Sequence, residues 1–341
     1  MDFKYKLSII IPCYNCEKTI KRTLESIVNN DLNKEEYQVI IVNDNCIDDS
    51  MNIIKQYEDK INITYCKTTR KIHCPGNTRQ AGIPYIKGEW TTFIDNDDTF
   101  KLNIFQKVFQ IIKDNNIQYI LSTGIQQIYL NNDTVDLDIN YVDGWLHGKF
   151  YNTENIFYKL KISFKEDMVG QEDVYFNSSL QAKLYLEKKD FYREKFYTYE
   201  WRQNPKSFTY TQCNNDWNYT DKYMEEYIEA STSSYLSSYK ENLDKEIKDI
   251  FISVIMTSFL FSYFYYQGSV YRGGTTLAFK NAIFIHNLKE KIKKVFNCND
   301  AFIIDYVYLR PELYMNVRNR SVYSNGDFIE LQSFRDFVTN I

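Results

Sequence analysis

Apolar runs at residues 7–12, 38–43, 61–66 and 90–94 alternate with amphipathic stretches at residues 19–28, 49–57 and 77–87. That rhythm predicts parallel strands joined by helices, because a parallel pair needs a connection long enough to carry the chain back to the same sheet edge. The expected order for this region is βαβαβαβ. In open α/β sheets ligands collect beyond the carboxyl ends of the strands. Polar residues stand at those ends here: Tyr14 and Asn15 after the first run, Asp44 after the second, and Asp95-Asn96-Asp97-Asp98 after the fourth. Distant parts of the sequence are therefore expected to converge on one crevice.

Past residue 104 the pattern continues with a helix and strands at 117–123 and 126–129, then a polar loop through Asp143. Helices are expected at 152–161 and 172–186, and a strand at 191–199. Beyond residue 214 the texture turns helical, at 221–229, 239–264 and 277–295, and the tail from 299 to 341 is too apolar for a disordered linker. A chain of 341 residues exceeds the size at which one core is usually extended. The expected division is an α/β domain at 1–212 and a mainly helical region at 213–341. The stretch 250–271 is apolar but interrupted by Ser253, Thr257, Ser258, Ser262, Gln267, Gly268 and Ser269, so a buried helix is expected rather than a membrane span.

A net charge of −4, from 41 Lys and Arg against 45 Asp and Glu, supplies no broad attraction for nucleic acid, which is excluded as a partner. The seven cysteines are odd in number and irregularly spaced, with no signal peptide, which fits a reducing cytoplasm. Cys13 and Cys16 form a C-x-x-C, yet no second pair completes a zinc ligand set.

Asp95-Asn96-Asp97-Asp98 carries the chemistry. Closely packed carboxylates repel one another, and a hard divalent cation relieves that repulsion while leaving coordination positions open for phosphate oxygens. Taken alone, D-x-D-D also fits a solvated acidic turn. Its company separates these readings: Ser8-Ile9-Ile10-Ile11-Pro12-Cys13-Tyr14-Asn15, Val42-Asn43-Asp44 with Asp48-Asp49-Ser50, Asn77-Thr78-Arg79-Gln80-Ala81-Gly82, and Gly88-Glu89-Trp90 running into the acidic cluster. Downstream stand Trp145-Leu146-His147-Gly148-Lys149-Phe150-Tyr151 and Gly170-Gln171-Glu172-Asp173-Val174-Tyr175-Phe176. In order and spacing these pieces, spread over roughly residues 6–210, resemble the family 2 glycosyltransferases of the GT-A fold.

The resemblance implies a Rossmann-like mixed sheet followed by a helical C-terminal region, and inverting transfer of a hexosyl or N-acetylhexosaminyl group from a nucleotide-sugar. A UDP-sugar is the family default. Pro12, Tyr14 and Asn15 would border the base, Asp44 would accept from uracil or ribose, and Arg79 would lie near the ribose and phosphates or brace the acidic cluster. Asp95 and Asn96 would contact the donor, Asp97 with Asp95 would hold Mn²⁺ or Mg²⁺, and Asp98 would join them or cap the next helix. Asp173, beside Glu172, would be the base that takes the acceptor proton. Trp145, His147 and Lys149 would face the acceptor, a glycan, a lipid-linked glycan or a protein. Lys149 or Arg202 would neutralise the diphosphate, with Ser207 following as in the family. Asn45-Cys46-Ile47 replaces the usual Gly-Ser-Thr turn and Gln80 a usual Asn. Taken singly, Arg79 also fits a surface helix charge and Trp145 a core side chain.

Two other functions remain open on sequence. One is a nucleotide-sugar-binding scaffold without turnover; the other is a nucleotidyltransferase, which would want a Gly-rich loop after the first strand where Cys13-Tyr14-Asn15-Cys16 stands. Acceptor selection, peripheral membrane contact and self-association through residues 213–341 are all compatible with the aromatic run at 259–266.

Overall fold

The computed structural model describes residues 2–68, 74–137, 143–205, 217–273, 275–313 and 331–341. It divides into two compact units, one of Met1–Gln181 with Lys189–Asn215, the other of Ala182–Lys188 with Asp216–Ile341. The boundary expected near residue 212 falls in 206–216, outside the described residues, as do Ser207 and Cys213.

The first unit is built on a mixed nine-stranded sheet. Strands β1 (Tyr5–Cys13), β2 (Tyr37–Asn43), β3 (Ile63–Lys67) and β4 (Gly88–Phe93) are parallel, in the order β3-β2-β1-β4. Residues 7–13 of β1 are all buried, as β-branched Ile9, Ile10 and Ile11 suit a central strand covered on both faces. Helices α1 (Ile20–Val28), α2 (Ser50–Lys55) and α3 (Pro75–Gly82) make the crossovers. Gly88 lets β4 close onto β1, since a Cβ there would lie 2.4 Å from the Ser8 amide nitrogen.

Beyond β4 the sheet turns mixed. After β5 (Thr99–Phe100) and α4 (Phe105–Asp114) come β6 (Ile120–Ile128), the short β7 (Thr134–Asp136) on β6, and β8 (Lys149–Asn152), which runs antiparallel between β4 and β6. Helix α5 (Glu172–Leu186) precedes β9 (Tyr192–Arg202), which pairs with β6 and β5. An aromatic cluster seats the first half of α5: Phe176 stacks on Phe164 at 4.6 Å and meets Phe93 and Tyr151 edge-on at 6.0 and 5.5 Å.

Three sequence expectations shift. The two strands expected at 117–123 and 126–129 are the single strand β6, whose register against β9 slips around Gly124; that bulge accommodates Tyr197, which lies 2.5 Å from where a Gly124 Cβ would be. The helix expected at 77–87 with an Asn77 cap begins at Pro75 and ends at Gly82, before a 3₁₀ turn at Ile83–Tyr85. Proline suits a first helical position, and Asn77 uses its amide on Asp167 instead, donating at 2.9 Å and accepting at 3.1 Å. The helix expected at 152–161 is one π-helical turn, Glu154–Lys159.

The second unit is helical: α6 (Trp217–Ser238), α7 (Lys245–Gly273), α8 (Thr275–Phe296), α9 (Asp300–Tyr308) and α10 (Leu331–Asn340). Its core joins Phe251, Ile255, Phe259 and Tyr263 of α7 to Ile292, Phe334 and Val338. By length and composition Lys245–Phe264 qualifies as a membrane span, but 56% of its most apolar window is buried in this core. Three hydroxyls along it bond back within the helix, Thr257 donating to the Ser253 carbonyl at 2.7 Å, Ser258 to Val254 at 3.1 Å and Ser262 to Phe259 at 2.5 Å.

Candidate active site

The acidic turn stands where β4 leaves the sheet. It closes by the Asp98 amide donating to the Asp95 carbonyl at 3.2 Å, and the Asn96 amide donates at 2.8 Å to the carbonyl of Pro12 at the end of β1. Helix α1 holds it from one side, Arg22 donating to the Asp97 carbonyl at 2.6 Å and Thr23 to the Asp98 carbonyl at 2.8 Å. Strand β9 holds it from the other. The Tyr199 hydroxyl donates to Asp98 Oδ2 at 2.6 Å and accepts from the Asp95 amide at 3.2 Å, while the Arg202 amide donates to Asp98 Oδ1 at 2.7 Å. Asp98, 1% exposed, thus ties β4 to β9 and does not cap a helix. Asp97 Oδ2 accepts from Asn204 at 2.8 Å.

Arg79 is not a surface charge. It is 4% exposed, and its guanidinium spans two carboxylates, Asp95 Oδ1 at 2.5 Å and Glu172 Oε1 at 2.6 Å. The donor-side acid and the first turn of α5 are therefore joined by one side chain. Gly76 makes room for this, because a Cβ there would sit 2.8 Å from Glu172 Cβ. Burial opposes ionisation of Asp95, but Arg79 and His147 overcome it and hold this carboxyl well below the usual range. Burial pushes Glu172 up to about 7 even with Arg79 opposing, and Asp173, beside it on the helix, is also raised by burial.

His147 Nε2 lies 3.2 Å from Asp95 Oδ2, and its ring leans on Tyr199 at 4.7 Å. One ligand atom each from Asp95, Asp98 and His147 lies within 4.8 Å of the others. His147 Nδ1 is buried with no hydrogen-bond partner among the described residues. Two carboxylates and an imidazole are a donor set that fits a divalent first-row cation, Mn²⁺ more readily than Mg²⁺ because of the nitrogen. Burial and the neighbouring acids raise both Asp97 and Asp98, and Asp97 is not among the three grouped donors.

At the ends of β1 and β2, Tyr14 is half exposed and Asp44 is 4% exposed. Asn15 Oδ1 accepts from the Ile47 amide at 2.9 Å, and Asn43 Oδ1 accepts from the Cys46 amide at 2.9 Å. Asn45 has φ 61°, the left-handed region that glycine favours and asparagine tolerates, so Asn45-Cys46-Ile47 keeps a turn that Gly-Ser-Thr would make. The Cys16 and Cys46 thiols are pushed far up, Cys16 chiefly by Cys13 and Cys46 by Cys16, which leaves them protonated and outside the metal donor set.

Trp145 meets Trp201 edge-on at 5.2 Å and His147 at 6.0 Å. Lys149 is fully buried opposite Ser122, and burial pushes its ammonium down to about 7 against the pull of Asp143 and Asp173. The Arg202 guanidinium donates to Thr99 Oγ1 at 2.9 Å and to Glu200 at 2.8 Å. Pro12, Asn96, Asp95, Arg79, Glu172 and His147 are thus linked by direct contacts, with Trp145 against His147 and the Arg202 amide on Asp98. Sequence reasoning missed Tyr199, Asn204 and Arg22, which hold the acidic turn; nothing in local spacing distinguishes them from an ordinary strand tyrosine, loop amide and helix charge.

Residues 8–171 match the family model described as glycosyl transferase family 2. This segment, just under half of the chain, carries a family 2 glycosyltransferase domain, and the fold is GT-A. Among curated proteins it is 36% identical over 111 residues to the poly(ribitol-phosphate) beta-glucosyltransferase of Bacillus spizizenii, covering 32% of this chain and 18% of that protein. It is 33% identical over 93 residues to the poly(ribitol-phosphate) beta-N-acetylglucosaminyltransferase TarS of Staphylococcus aureus, covering 27% of this chain and 16% of that protein. These matches span less than a fifth of each relative's length. Residues 1–349 of S. aureus TarS, solved in complex with UDP-GlcNAc, share the fold with a TM-score of 0.70 at 19% identity, covering 98% of this chain and 90% of that one. The Pyrobaculum calidifontis mannosyltransferase PcManGT, solved with GDP-Man and Mn²⁺, has a TM-score of 0.54 at 12% identity, covering 99% and 86%.

Proposed function

We propose that the chain transfers a hexosyl or N-acetylhexosaminyl group from a UDP-sugar to a hydroxyl of a polyol-phosphate polymer or related glycan, with inversion. The observation that carries this reading is the Arg79 bridge, which joins Asp95 at the carboxyl edge of the sheet to Glu172, next to Asp173. The acceptor class rests on the names of the curated relatives, both poly(ribitol-phosphate) glycosyltransferases.

In this reading Pro12, Tyr14, Asn15 and Asp44 receive the nucleotide, and Asp95 and Asn96 meet its sugar-phosphate end. Asp95, Asp98 and His147 would hold Mn²⁺ or Mg²⁺, which when bound supplies positive charge against the departing diphosphate. Asp173 takes the proton of the acceptor hydroxyl as its oxygen bonds to the anomeric carbon and the bond to the diphosphate breaks, releasing UDP. Trp145 offers an aromatic face to the acceptor, while Lys149, fully buried, lies in the sheet and does not face it. Arg202 steadies β5 and β9 around the acidic turn. We also place the chain in the cytoplasm, with peripheral membrane contact and self-association through residues 213–341 as further parts of the proposal.

The test is release of nucleotide from a panel of UDP-, GDP- and dTDP-sugars, with Mn²⁺, Mg²⁺ or chelator, with and without poly(ribitol phosphate). Metal-dependent UDP release that the polymer accelerates is the expected outcome. Silence across the panel defeats the reading; nucleotide binding by calorimetry without turnover would leave the nucleotide-sugar-binding scaffold, and no binding would defeat both.

A further inference from the structure

Helix α5 touches both sides of the candidate site. Its first residue, Glu172, is held by Arg79 and through it by Asp95. One turn beyond Asp173 stands Asn177, 1% exposed, and residues four apart share a helix face. The Asn177 amide nitrogen donates to two successive carbonyls, Gly144 at 3.1 Å and Trp145 at 2.9 Å, while its Oδ1 accepts from the Tyr151 hydroxyl at 2.9 Å. The loop gripped in this way leads directly into Trp145, His147 and Lys149. A second contact sits beside the first, because a Cβ on Gly144 would come within 3.3 Å of Val174 Cγ2.

We propose that Asn177 is a positioning residue for transfer, fixing the separation between the Asp173 carboxylate and the Trp145 segment that presents the acceptor. This deepens the reading of Asp173 as base and rests on it. Only a primary amide of this length supplies two N–H donors and an acceptor at one point. Aspartate would set a second oxygen against two carbonyl oxygens, and alanine would remove the donor that both carbonyls share. Proton removal and displacement both need near-contact geometry, and a displacement of about 1 Å costs about a hundredfold in rate. Release of donor sugar to water makes no such demand on the acceptor loop.

The experiment compares the parent full-length chain with Asn177→Ala, Asn177→Asp, Gly144→Ala and Tyr151→Phe. Measured are UDP release from UDP-GlcNAc and UDP-glucose without acceptor, transfer to poly(ribitol phosphate), acceptor KM and kcat, and Tm. Asn177→Ala and Asn177→Asp are expected to lower transfer kcat/KM by about tenfold or more, with acceptor KM rising, while acceptor-free hydrolysis stays within about twofold. Gly144→Ala, which moves the loop but deletes no hydrogen bond, should show the same split even if the Asn177 variants fail to fold. Tyr151→Phe removes a bond of the same buried network without touching the loop, so it should lower Tm and leave the acceptor KM at the parent value.

Hydrolysis and transfer falling together, in proportion to Tm, in the Asn177 and Gly144 variants would reduce Asn177 to a packing role and overturn the proposal. A parent that hydrolyses donor but transfers to no polymer overturns it too, by removing the acceptor role of residues 145–149. A parent inactive on every donor sinks the functional reading itself and this proposal with it.

Discussion

Replacing Arg79 by methionine keeps much of its buried stem and deletes the charge that joins Asp95 to Glu172. Removing one partner of a buried ion pair costs about 3–5 kcal/mol, because the remaining charge stays desolvated and unpaired. Asp95 is 30% exposed and recovers some hydration, whereas Glu172 is 9% exposed and recovers little, so Glu172 bears most of the cost. For a unit of this size about 2–4 °C of Tm accompanies each kcal/mol, so a drop of about 6–20 °C is expected. The pH dependence follows from Glu172, raised to about 7 with Arg79 present. Without the guanidinium its carboxyl moves higher still. A carboxyl whose folded value lies above its unfolded one contributes stability below the unfolded value and loses it as pH rises through the folded one. Above pH 7 the parent has already passed its Glu172 transition while the variant has not, so the deficit of Arg79→Met should widen from pH 7 to 9. Two compact units lie in one chain, so calorimetry resolving separate transitions is the assay. Adding Glu172→Gln should recover part of the loss. A Tm within about 2 °C of the parent at pH 8, or a deficit that does not grow with pH, would refute the bridge as a structural element.

Two other consequences are open to direct measurement. Asp173→Asn should leave UDP affinity near the parent value and lower transfer to poly(ribitol phosphate) by about 10²–10⁴, the range of a positioned base; unchanged turnover in the folded variant would remove Asp173 from the mechanism. Lys149 is depressed to about 7, so between pH 7 and its unfolded value near 10.5 the unfolded chain binds the extra proton and stability rises with pH. At about 1.4 kcal/mol per unit, the parent should gain up to about 3 kcal/mol over Lys149→Met from pH 7 to 9 in urea unfolding, and parallel pH profiles would show that Lys149 titrates normally.

The parallel half of the sheet was legible because its signal is local. Ile9, Ile10 and Ile11, or Val39, Ile40 and Ile41, state a buried strand without reference to anything else. The carboxyl-edge rule then set Asn96 and Asp95 beside the end of the first strand, where Asn96 does bond the Pro12 carbonyl. The mixed half was harder for the same reason. Residues 124–125 fell between two expected strands, because a bulge and a turn look alike until the partner strand, with Tyr197, is known. Arg79 had two local readings, and only the fold shows that helix α3 turns it inward between two acids. Tyr199, which touches Asp98, the Asp95 amide and the His147 ring, had no reading at all, since a strand tyrosine gives no sign of where its hydroxyl points.

The acidic turn also states how cation binding should depend on pH. Asp95 is kept ionised by Arg79 and His147, but Asp97 and Asp98 are raised by burial and by one another. His147 is raised as well: burial works against its charged form, and Asp95 outweighs it. Without a cation the cluster therefore relieves its crowding with protons rather than with charge. A cation on Asp95, Asp98 and His147 must displace those protons, because its ligands bind as carboxylate and neutral imidazole. Binding of Mn²⁺ should thus strengthen as pH rises from 5 to 8 and release protons. Calorimetric titrations in two buffers of different ionisation enthalpy measure that release, with Tyr199→Phe as the informative variant. Loss of the hydroxyl takes a donor from Asp98 and leaves that carboxyl less well held as an anion, which should steepen the pH dependence. Proton-free binding, with an affinity constant across this range, would show that the cation sits elsewhere than on Asp98 and His147.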